Sequence, residues 1–84
     1  MKIQLKYFAS IREALGQGGE TLDVAATTVG ALRDELIAFG GAYAQALARG
    51  KAVRVALNQA MVGDETAPLS EGAEVAFFPP VTGG

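Results

Sequence analysis

Ile3, Leu5 and Tyr7 alternate with Lys2, Gln4 and Lys6, and a period of two places the apolar set on one face of an opening β-strand. Ser10 to Gly16 then offers a serine N-cap, apolar residues at helical spacing and a glycine suited to a left-handed cap, which predicts one or two turns of helix. Gln17-Gly18-Gly19 reads as loop, and Glu20 to Val24 alternates again, as a second strand running back beside the first. Thr28 is a candidate N-cap for the main helix, Val29 to about Phe39, in which Val29, Leu32, Leu36 and Phe39 fall on one stripe that Ile37 widens. Gly40-Gly41 ends it, and Ala42 to Ala48, followed by Gly50, predicts a second short helical turn. Val53, Val55 and Leu57 alternate with Arg54 and Ala56 in a third strand, Asn58-Gln59 turns, and Met61-Val62 suffices only for a short strand. Gly63 to Ser70 is loop, and Glu74 to Phe78 is a final strand that Pro79-Pro80 must stop, because proline cannot donate to a ladder.

That order defines an α+β fold: a mixed sheet of about five strands, one main helix and short helical turns. The β-grasp, or ubiquitin-like roll, is the compact fold with this order. In it the last strand lies beside the first in the middle of the sheet, a parallel pairing for which the intervening helix and loops supply the crossover. The periodicities require Val29, Leu32, Leu36 and Phe39 to pack against Ile3, Leu5, Val55, Leu57 and Val75 or Phe77. Eighty-four residues make one domain. We place the β-grasp domain at residues 1–80 and a projecting tail at 81–84.

A 50% hydrophobic, 19% charged chain is too apolar for intrinsic disorder. The net charge of −2 argues against nucleic acid, which asks for a clustered cationic surface. With no cysteine and no histidine, the chain lacks thiolate nucleophiles, disulfides, the commonest metal ligands and the usual general base, so no metal site is expected. No apolar run approaches the ~20 residues of a membrane span, and the alternating start is unlike a signal peptide. The expectation is a soluble, cytoplasmic protein.

Few side chains suggest chemistry. Gly16-Gln17-Gly18-Gly19 lacks the lysine and following helix of a phosphate cradle and reads as a hairpin loop. Asp34-Glu35, Asp64-Glu65, Glu71 and Glu74 read as solubilising surface charge, and Arg12 as an exposed residue of a short helix. Phe77 and Phe78 point to opposite faces, so one enters the core while Phe78 is either an interface anchor or covered by a neighbouring element.

The terminal Val81-Thr82-Gly83-Gly84 is different in kind. Two glycines cost backbone entropy and pack nothing, and a frayed terminus is the bland account. Two prolines stiffen the base, however, so the last four residues can project ~13 to 14 Å from Pro80, and glycines without Cβ atoms let a partner's groups approach the terminal carboxylate.

Phe77-Phe78-Pro79-Pro80-Val81-Thr82-Gly83-Gly84, preceded by Glu71-Gly72-Ala73-Glu74-Val75-Ala76, resembles the C-terminal signature of the small subunits of molybdopterin synthase, a family of β-grasp sulfur carriers. The resemblance extends over nearly the whole chain. Tyr7 to Glu13 is similar to that family's first-strand exit, Thr28 to Leu32 to its helix start, and Val55 to Gln59 to its central strand and turn. Gly30 departs from the pattern, standing where a helix former such as glutamate is usual, and is expected to weaken the first turn by up to ~1 kcal/mol.

The resemblance implies a co-substrate that is not catalytic alone. An E1-like adenylating enzyme consumes ATP to form an acyl-adenylate at Gly84, and a sulfur donor replaces AMP to leave a thiocarboxylate. Pro80, Val81, Thr82 and Gly83 insert with it into the large synthase subunit, where the sulfur attacks cyclic pyranopterin monophosphate, and two rounds build the molybdopterin dithiolene. No cofactor is bound by the chain itself. The implied assembly is a heterotetramer of two small and two large subunits, docked through an apolar patch at Phe8, Met61, Phe78 and Pro79. Beside it stand a carrier for thiazole or another sulfurated metabolite, a ubiquitin-like modifier of lysines, and an inert interaction module.

Overall fold

A computed structural model describes residues 1–80. Its elements are β1 (Lys2–Tyr7), α1 (Ala9–Leu15), β2 (Gly19–Asp23), α2 (Val29–Ile37), α3 (Gly41–Ala46), β3 (Arg54–Leu57), β4 (Ala60–Val62) and β5 (Glu74–Phe78). The five strands form one sheet in the order β2-β1-β5-β3-β4, with β1 and β5 parallel and every other neighbouring pair antiparallel. The expected central pairing of last strand with first is therefore present, set by the register Leu5↔Val75 and Tyr7↔Phe77.

One face of the sheet carries the core. Ile3, Leu5, Tyr7, Val55, Val75 and Phe77 point to the same side and are buried with Ile11 of α1, Val29, Leu32 and Leu36 of α2, and Ala46 and Leu47 at the end of α3. Tyr7 and Phe77 stack with ring centroids 6.5 Å apart. Thr28 caps α2 as expected, its hydroxyl accepting from the Ala31 N–H at 3.2 Å.

Phe39 corrects the predicted core. The Phe39 N–H turns back to Leu36 O and the Gly40 N–H to Ile37 O, a three-residue spacing that tightens the end of the helix. The stripe therefore stops at Leu36, and Phe39 lies 54% exposed, its ring edge-on to Tyr43 at 5.2 Å. Ser10 is also displaced from its expected cap. Phe8 takes that position in an extended conformation because its N–H extends the parallel ladder to Phe77 O, while its carbonyl accepts from Ile11 and Arg12. Ser10 falls inside α1.

The segment 63–70 lies against the start of α2. Val29 N–H donates to Ala67 O, Gly30 N–H to Glu65 O at 2.7 Å and Leu69 N–H to Thr27 O. A Cβ at Gly30 would stand 3.2 Å from both the Glu65 carbonyl oxygen and its Cβ, so the departure from the family pattern accommodates a close backbone approach.

Candidate functional site on the open sheet face

Alternation leaves the second sheet face without a helix. Gln4 and Lys6 of β1, Ala76 and Phe78 of β5, Arg54 and Ala56 of β3, and Met61 of β4 point to it. Across the strands the register runs Lys6↔Ala76, Ala76↔Ala56 and Ala56↔Met61, so two buried alanines floor the middle of the face. One row on, Phe8 meets the half-buried Phe78 edge to face at 6.1 Å, and Phe78 stands opposite Arg54. Phe8 is 46% and Met61 53% exposed. Phe8, Met61 and Phe78 thus lie on one face around a small-residue floor, and Glu74 on that face is already paired with Lys6 at 3.6 Å.

β5 ends at this patch. Pro79 and Pro80 follow, half-buried, with clefts on either side: one of about 370 Å³ lined by Val53, Arg54, Gly63 and Pro80, another of about 120 Å³ lined by Ser10, Ala14, Lys51 and Pro79. Val81, Thr82, Gly83 and Gly84 lie outside the described residues. Among the described residues no cluster of ligating side chains could hold a metal ion, and no helix is long and apolar enough to cross a membrane.

Several carboxylates do more than solvate the surface. Glu35 Oε1 accepts from the Ala25 and Ala26 N–H groups, Glu71 from the Lys2 N–H, and Asp64 from the Thr66 N–H. Arg33, only 5% exposed, donates to the carbonyls of Leu47, Ala48 and Lys51 and to Glu65. Arg49 joins the same cluster through Glu65, Asp34 and the Gly30 carbonyl. Burial works to raise the Glu65 carboxyl, but hydrogen bonds and charge from Arg49 and Arg33 outweigh it and hold the group below its ordinary range.

Glu20 forms a second centre facing the helices, accepting from Tyr7 Oη at 2.8 Å and Tyr43 Oη at 2.6 Å. Burial and then this bond raise the Tyr7 phenol well above its ordinary value, and the bond to Glu20 followed by burial pushes Tyr43 up to about 12. Sequence patterning missed both centres. The sole signal for the second was Glu20 at an inward position of β2, in register with Leu5.

Fold and face define a ubiquitin-like β-grasp protein. The chain belongs to the ThiS family, whose model matches residues 5–84. It is 43% identical over 82 residues to the molybdopterin synthase sulfur carrier subunit of Escherichia coli K12, covering 98% of this chain and 99% of that one. The crystal structure of SAMP1 from Haloferax volcanii superposes with a TM-score of 0.76 at 28% identity, covering all of both chains. The same fold occurs in a complex of subunits 1 and 2 of the molybdopterin-converting factor from Helicobacter pylori, with a TM-score of 0.70 at 23% identity over all of both chains.

Proposed function

We propose that the chain is the sulfur-carrying subunit of a molybdopterin synthase, with Gly84 as the atom-transferring end. The observation that carries this is the run Phe77 to Gly84: its first residue is buried in the central strand, its second stands on the open face, two prolines stop the strand, and the sequence goes on to Val81-Thr82-Gly83-Gly84. The strong likeness to a curated sulfur carrier subunit supports it.

A free α-carboxylate, with a pKa near ~3.5, is ionised at neutral pH and is a poor electrophile. One of its oxygens attacks the α-phosphate of ATP on an E1-like enzyme and releases pyrophosphate. A sulfur nucleophile then displaces AMP at the carbonyl carbon, leaving a thiocarboxylate. The absence of cysteine agrees with sulfur carried on the main chain. Pro80, Val81, Thr82 and Gly83 form the stem that enters the large subunit, while Phe8, Met61, Phe78 and Pro79 dock beside the entrance. The sulfur then attacks a side-chain carbon of cyclic pyranopterin monophosphate, displacing an oxygen substituent as water; a second water cleaves the acyl–sulfur bond, which leaves the sulfur on the pterin and returns Gly84 to a carboxylate, and the partner supplies acid and base groups. The complex contains two small and two large subunits and works in the cytoplasm, where ATP is at hand.

With its adenylating enzyme, ATP and a sulfur source, the chain should gain the mass difference of sulfur for oxygen, located at Gly84. Molybdopterin formed with the large subunit by a chain lacking Gly83 and Gly84 would overturn the proposal. The full-length likeness to SAMP1 of Haloferax volcanii, small archaeal modifier protein 1, favours a second reading as a protein modifier. Isopeptide conjugates to lysines of unrelated proteins, formed without a large synthase subunit, would select it.

A further inference from the structure

We propose that Arg54 is a specificity-determining residue that pairs with a carboxylate of the large subunit at the mouth of the pocket receiving the tail. This rests on the carrier reading above and adds the chemistry of the recognised surface.

Arg54 opens β3, stands in register with Phe78 of β5 and projects onto the open face beside the aromatic pair. Its guanidinium makes no hydrogen bond and no ion pair among the described residues. Asp64 and Glu65 line the same cleft as Arg54, but neither forms an ion pair with it. Glu65 is held by Arg33 and Arg49, Asp64 accepts the Thr66 N–H, and Glu74 pairs with Lys6. Arg54 is thus a cation without an ion-pair partner among the described residues, at the rim of the apolar patch, although the net charge of the chain is −2.

Docking a protein onto Phe8, Phe78 and the Ala56–Ala76 floor removes water from this guanidinium. A charge desolvated without a counter-charge opposes association strongly, whereas one met by a carboxylate supports it and rejects partners that lack the acid. Arginine suits this task because its planar fork engages a carboxylate with two parallel bonds. Phe78 is followed at once by Pro79 and Pro80, so the complementary acid lies where the stem enters the partner.

The test is the affinity of the full chain for the purified large subunit, measured across a range of salt concentrations. Arg54→Glu should weaken binding by roughly ten- to a hundredfold, as for other close charge pairs across interfaces. Arg54→Gln should weaken it several-fold and flatten its salt dependence, a change that a merely structural residue would not produce. Lys2→Glu, the same charge reversal at the far end of the face, should change affinity by less than about twofold. Unchanged thermal midpoints exclude unfolding, and if Arg54→Glu fails to fold, the Arg54→Gln salt profile decides. Arg54 variants binding within twofold of the native chain, or Lys2→Glu matching Arg54→Glu, overturn the inference while leaving the carrier reading intact. Failure of the native chain to bind the large subunit overturns both.

Discussion

Phe8 and Phe78 meet edge to face at 6.1 Å on the open side of the sheet, while Tyr7 and Phe77, one residue earlier on each chain segment, stack at 6.5 Å inside the core. The parallel pairing of β1 with β5 thus places one aromatic pair on each side of the same two strands. The inner pair stabilises the domain, and the outer pair is the one that the proposed docking uses.

Phe78→Ala should therefore weaken association with the large subunit by tenfold or more, in keeping with an aromatic anchor at about 2 kcal/mol, without unfolding the domain. Phe77→Ala should instead destabilise the fold by roughly 3–5 kcal/mol. Co-purification with the large subunit and thermal denaturation of the two variants separate the roles. Loss of folding in Phe78→Ala would place the interface elsewhere.

The two-residue period made β1 and β5 legible, and the threonine before an apolar helical stripe made the start of α2 legible, because both signals are local. The exit from α2 was not. Phe39 satisfied helical spacing, but the helix tightened one turn before it and turned its ring outward. Arg33 was equally hidden, since its acceptors are carbonyls 14 to 18 residues further along, which no side-chain pattern announces. Of the candidate site, the outward parity of Phe78 could be read from alternation. Its contact with Phe8 and the freedom of Arg54 depend on strand register, which only the fold supplies.

The two tyrosines, in a chain without tryptophan, give a clean absorbance titration. Both phenols hold their protons more tightly in the folded state, so the stability they contribute is complete below the unfolded value near 10 and disappears as pH rises through the folded values. Tyrosinate should appear only near pH 12, with Tyr43 ionising first. Glu20→Gln should bring the onset down toward pH 10 and lower the thermal midpoint at neutral pH. An unchanged titration in that variant would remove Glu20 as the cause.

Arg33→Met strips three carbonyls and Glu65 of a buried donor and should cost ~3–5 kcal/mol in urea denaturation. Glu65 carries the pH dependence. Its carboxyl is depressed, so its contribution is present above the ordinary value of 4.5 and is lost as pH falls through the folded value. Glu65→Gln should lower stability at neutral pH and flatten the decline below pH 4.5. A variant whose acid transition parallels the native one would contradict this account.

Gly30→Ala tests local propensity against packing. Helix propensity alone would stabilise the first turn by up to ~1 kcal/mol, but the added methyl would stand 3.2 Å from the Glu65 carbonyl oxygen. That oxygen is fixed by the Gly30 N–H itself at 2.7 Å. The expected outcome is no gain, or a loss, in chemical denaturation; a gain approaching the full propensity value would show that the 63–70 segment yields.

Gly83→Ala leaves the terminal carboxylate in place but restricts φ and adds a methyl where the tail must thread. Sulfur transfer with the large subunit should fall at least tenfold while the thermal midpoint stays within about 1 °C, since near-attack geometry tolerates errors of only ~1 Å. Full single-turnover transfer by this variant would refute the steric argument.

The position of β5 between β1 and β3 has a mechanical consequence. A pull on the C-terminal end, as from an enzyme that grips and draws it, loads the hydrogen bonds to both neighbouring strands together and in shear, because they lie across the direction of the force. An edge strand pulled along the same direction would have only one ladder to bear the load. The load on β5 is thus shared between one parallel and one antiparallel ladder.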